Sequence, residues 1–111
     1  MKNALRGHFE LELGDGTTLP CLLNLYALNL YCEESGATLT ELDQSLQKNM
    51  LAALPALTWH GVETHCALNG EELPMDRKRY SILFGSSDWA PIADAVGKAL
   101  NFEPSGQKKA T

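Results

Sequence analysis

His60, His65 and Cys66 are the one run of neighbouring side chains in this sequence with the chemistry to hold a metal or drive a nucleophilic reaction. Their spacing argues against both. Ligands on one helix share a face when they stand four apart, and these histidines stand five apart. A cysteine nucleophile needs a base held against it, whereas residues adjacent on a helix point to different sides. The run therefore reads as a partly exposed histidine pair beside a small core cysteine. Gly14-Asp15-Gly16 opens no helix, so it reads as a hairpin turn and not as a phosphate cradle. Glu33-Glu34, Glu71-Glu72 and Arg77-Lys78-Arg79 read as solvated charge. With no converging acid, base, nucleophile or ligand set, no catalytic residue, metal or cofactor is assigned, and the expectation is a protein that is not an enzyme.

Aromatic surface remains. In a small domain without catalytic groups, large aromatics either fill the core or anchor a partner. Tyr26, Tyr31, Trp59 and Trp89 are the partner-binding candidates on that argument.

These side chains need a frame, and the order of local signals supplies one. From His8 to Leu13 the residues Phe9, Leu11 and Leu13 alternate with Glu10 and Glu12, the period of a half-buried strand. After the glycine turn a second strand is expected from Thr17 to about Leu23, with Leu19, Cys21 and Leu23 on one face. Pro20 marks it as an edge strand or interrupts its pairing. Asn24 can cap a helix whose apolar stripe is Leu25, Leu28 and Cys32 with Tyr31 beside them, and Gly36 stops it. Thr38-Leu39-Thr40-Glu41 has the form of a capping box, predicting a second helix with Leu39, Leu42 and Leu46 inward.

Met50 to about Leu68 is dense in apolar residues and predicts a central, more buried helix, kinked or restarted at Pro55. Gly70 and Pro74 bracket a loop. Two further helices are expected, Met75 to Phe84 and Asp88 to Leu100, the last capped by Ser87 or Asp88 and inward through Ile92, Ala95, Val96 and Ala99. The fold class is α+β and mostly helical, an N-terminal β-hairpin followed by four to five packed helices. It makes one domain over residues 1–102, with a mobile C-terminal stretch over 103–111.

Composition narrows the partners. The 111 residues are 44% hydrophobic and 21% charged, the balance of a globular domain. A net charge of −5 without clustered Lys and Arg argues against nucleic acid. Three cysteines at unrelated spacings, and no leader-like start, point to a reduced cytoplasm. No apolar run approaches the ~20 residues of a membrane span.

The succession Gly7-His8-Phe9-Glu10-Leu11-Glu12-Leu13, the turn, Asn24-Leu25-Tyr26-Ala27-Leu28, Tyr31-Cys32-Glu33-Glu34-Ser35-Gly36 and Leu57-Thr58-Trp59-His60-Gly61-Val62 resembles the tail assembly chaperones of long-tailed bacteriophages and prophages. In that family a short hairpin leads to an Asn-x-x-Ala-Leu helix ending in Glu-x-x-Gly, and a later helix carries Trp-x-Gly. The likeness spans roughly residues 7 to 100, and its specificity lies in the order of the motifs. Pro55 before the tryptophan, and Thr-Trp-His in place of small apolar residues, depart from the pattern. The resemblance implies a non-enzymatic factor in the host cell cytoplasm that coats the tape measure protein, helps recruit tail tube subunits and self-associates along its long partner. It also implies a longer frameshifted product, for which Lys108-Lys109 could be the slippery site. The competing expectation is a small acidic prophage regulator or inhibitor that binds a host protein through its negative charge.

Overall fold

The computed structural model, which describes residues 7–100, begins with the expected hairpin. Strand β1 (His8–Glu12) pairs antiparallel with β2 (Thr18–Leu22), Phe9 facing Cys21 and Leu11 facing Leu19. The turn closes with the Leu13 amide donating to the Thr17 carbonyl at 2.8 Å and the Asp15 carboxylate accepting from the Thr17 amide at 3.0 Å. Gly16 sits there at φ +87°, a conformation that favours a residue without a Cβ. Alternation does the rest: Leu11, Leu13, Leu19, Cys21 and Leu23 are buried while Glu10 and Glu12 face solvent. Pro20 interrupts nothing. The Leu23 amide bonds the Gly7 carbonyl in the same register as Leu13 with Thr17, so the odd-numbered pairs of β1 carry the ladder bonds. Pro20 faces Glu10 in a pair that exchanges none, and its missing donor is not needed.

Five helices follow. Helix α1 (Leu25–Ser35) starts where the Asn24 side chain accepts from the Ala27 amide at 3.0 Å and ends at Gly36 with φ +81°. A 3-10 turn (Leu39–Glu41), in which the Glu41 carboxylate takes the Thr38 amide at 3.0 Å, leads into α2 (Leu42–Lys48). Helix α3 (Met50–Asn69) runs through Pro55 as one element and closes at Gly70. Asp76 caps α4 (Arg77–Gly85) by accepting from the Arg79 amide at 2.8 Å. Asp88 does the same more loosely for α5 (Trp89–Leu100), whose Pro91 lies in the first turn, where the amide hydrogen has no helical acceptor. The expected stretch over 103–111 and the domain end at residue 102 lie outside the described residues.

The core forms where the hairpin lies across α3. That approach depends on Gly61: a Cβ there would run into the Cys21 sulfur and stand 3.0 Å from Leu23 Cδ2. Gly14 allows a second close approach, since a Cβ would come within 2.6 Å of the Ser86 carbonyl oxygen between α4 and α5. Leu54, Leu57, Val62 and Cys66 of α3 are buried, as are Ile92, Val96 and Ala99 of α5.

Four leucines correct the expected stripes. Leu25, Leu39, Leu51 and Leu68 are exposed. On α1 the buried arc is Ala27, Leu28 and Tyr31, and at 100° per residue Leu25 lies roughly 110° round the helix from its centre. Apolar spacing shows that a stripe exists, but the packed neighbours choose which arc is covered. Leu51 and Leu68, near the two ends of α3, extend past what the hairpin, α1 and α4 cover.

Candidate partner-binding surface

The four aromatic candidates divide cleanly. Trp59 is 3% exposed and Tyr31 4%, so both belong to the core, and the expectation that they meet a partner is corrected. The Trp59 ring packs 5.1 Å from Tyr80, which packs 5.9 Å from Phe84. The same layer satisfies its polar atoms. Tyr80 donates its hydroxyl to Thr58 Oγ1 at 2.6 Å, and Thr58 donates to the Leu54 carbonyl at 2.8 Å. Burial pushes the Tyr80 phenol well above its ordinary range, so it stays protonated as the donor.

Trp89 and Tyr26 are 48% and 59% exposed. Trp89 stands at the start of α5 and lines a groove of about 320 Å³ with Met50, Leu51, Leu54 and Pro55 of α3 and Phe84 of α4. Leu51, 81% exposed, forms one lip. Its walls are apolar apart from Ser81 and Ser87. Tyr26 lies at a more open recess with Leu22, Asn24, Thr64, Ala67 and Leu68, beside the C-terminal end of α3. A third, polar cleft of about 540 Å³ separates the hairpin from α5 and is lined by Glu10, Glu12 and Asp88.

The histidines are not a pair. His60 is buried, and its Nε2 and Nδ1 lie 2.7 Å from Glu34 Oε1 and 2.7 Å from Glu63 Oε1. His65 Nε2 faces Glu71 at 3.8 Å. Among the described residues no three His, Cys, Asp or Glu side chains converge as metal ligands would. The Glu34 and Arg77 expectations are also corrected. Neither is plain solvated charge: Arg77 grips Glu34 with two bonds, Nη1 to Oε1 at 2.8 Å and Nη2 to Oε2 at 2.7 Å. Those bonds hold the Glu34 carboxyl down at about 2, with His60 adding to the effect against partial burial.

One signal for this cluster was present in the sequence. Glu34 falls in the last turn of α1 and Arg77 in the first turn of α4, each at the helix end that its charge disfavours. Residues placed against both helix dipoles invite a search for each other. Burial pushes the Cys21 thiol far up and raises those of Cys32 and Cys66, the direction opposite to an activated nucleophile. Among the described residues no helix is long and apolar enough to cross a membrane.

No protein-family model, no curated protein and no solved structure matches this chain.

Proposed function

We propose that this chain is a non-enzymatic tail assembly chaperone of the long-tailed phage kind, which binds the tape measure protein and helps recruit tail tube subunits. The groove between the start of α3, the end of α4 and the start of α5 carries the reading. It is open and apolar, and Leu51 and Trp89 stand at its mouth. Such a groove suits the apolar stripe of an amphipathic helix, and a tape measure protein is a long helical chain whose stripes aggregate when uncovered. The ordered motifs from Gly7 to Val62 support the same reading.

Co-expression with a tape measure protein tests it. The wild-type chain keeps the long partner in the soluble fraction, and Leu51→Lys, which places a charge at the lip of the groove, releases it to the pellet. A partner that stays insoluble beside the wild-type chain, or equally soluble beside both, overturns the proposal. The acidic-inhibitor reading has one observation of its own, the cleft bearing Glu10, Glu12 and Asp88. It requires that Glu10→Gln with Glu12→Gln abolish capture of a basic host protein and leave tape measure binding intact.

A further inference from the structure

We infer that His60, with hydrogen on both ring nitrogens, is a clamp that fastens α1 and α4 to α3. Its ring is nearly enclosed, and each nitrogen lies 2.7 Å from a carboxylate oxygen, Nε2 from Glu34 and Nδ1 from Glu63. A neutral imidazole has one N–H and one lone pair, so it can donate to only one of these carboxylates and must turn its lone pair on the other. Both contacts are hydrogen bonds only when both nitrogens carry hydrogen. The doubly protonated ring also balances the cluster. Glu34 and Glu63 bring two negative charges, Arg77 brings one positive charge, and the imidazolium supplies the second.

Placement argues that the cluster exists for its cross-helix contacts. Glu34 ends α1 and Arg77 begins α4, positions unfavourable to each helix alone, and their sequence separation of 43 leaves tertiary contact as the compensation. Glu34 faces the ring from α1, Glu63 from its own helix α3, and Arg77 completes the group from α4. Strand β2 and helix α2, which also pack on α3, place no ion-pair partner at His60 among the described residues.

The clamp loosens in acid. As pH falls from the ordinary 4.5 of a glutamate towards the lowered value of about 2 for Glu34, the folded state loses the advantage of its ionised carboxylate. Helix α4 also carries Phe84 and Gly85, part of the groove wall, so a slack clamp loosens that wall.

This inference stands apart from the chaperone reading, and its test uses the isolated chain. Ring-nitrogen NMR at pH 6, with the three histidines assigned by comparison with His60→Gln, is expected to show both His60 nitrogens protonated; a bare nitrogen at pH 6 overturns the clamp. The urea midpoint of His60→Gln at pH 6 is expected to fall below that of the wild type; an unchanged midpoint overturns the inference. If His60→Gln does not fold, the wild-type nitrogen spectrum decides alone, with its three histidines assigned through their backbone amides.

Discussion

Trp59 and Trp89 belong to neighbouring parts of one packed unit and meet opposite surroundings. Around Trp59 the molecule is closed: Tyr80 and Phe84 stack beyond it, Thr58 takes the Tyr80 hydroxyl, and two residues on, Gly61 lets the hairpin settle onto the same helix. Around Trp89 it is open, since the first turn of α3 offers Met50 and Leu51 to a groove that nothing among the described residues fills. The contrast teaches that an aromatic in a short motif is no guide to a contact surface. The Trp-x-Gly element that contributes to the resemblance does its work inside the fold, whereas Leu51 and Trp89 at the groove lie outside the motifs.

The harshest test of that contrast is Trp59→Ala. Removing a buried indole should cost about 3–5 kcal/mol in urea denaturation. A loss below about 1 kcal/mol would erase the distinction between the two regions. Gly61→Ala comes next. In an exposed helix this change gains up to about 1 kcal/mol, but here the new methyl meets the Cys21 sulfur, and a net loss of about 1–3 kcal/mol is expected. Adding Cys21→Ala should recover part of it, since residues in contact couple. Trp89→Ala should change stability least, by about 0.5 kcal/mol or less, as an exposed substitution does. On the proposed function it should nonetheless weaken tape measure binding by about 2 kcal/mol or more in titration calorimetry, the scale of an interface anchor. Equal losses of stability from both tryptophans would collapse the comparison into one core.

Local signals were readable because their physics is local. The alternation of Phe9, Leu11 and Leu13 against two glutamates, the Asn24 cap, the Gly36 stop and the Thr38–Glu41 capping pair each satisfy backbone or solvent requirements within a few residues, and all are present. What depended on a distant neighbour was not readable. Leu25 and Leu39 sit in good helical stripes that nothing covers, and Trp59 and Tyr31 look the same in sequence as Trp89 and Tyr26. Gly61 reads as a helix weakness until β2 is laid against it. The Glu34, His60 and Arg77 cluster was divided among three separate readings, because the residues meet only after three helices pack. Of the candidate surface, Trp89 and Tyr26 were named in advance. The lip residue Leu51 falls within the apolar run from Met50 to Leu68, where spacing alone does not reveal that a helix outruns its neighbours.

The dependence of the hairpin on Gly61 carries a consequence for the order in which the protein is made. A two-stranded hairpin by itself is marginal in water, and this one has its apolar face designed for a helix that is synthesised later. Roughly 40 residues separate β2 from Gly61, which at about 5–20 residues per second leaves the strands without their support for on the order of 2–8 s. During that interval Leu11, Leu19 and the Cys21 thiol, all deeply buried in the finished protein, are open to water, oxidants and other nascent chains. On the proposed reading, a chain that guards another protein's apolar stripe begins its own life with one uncovered.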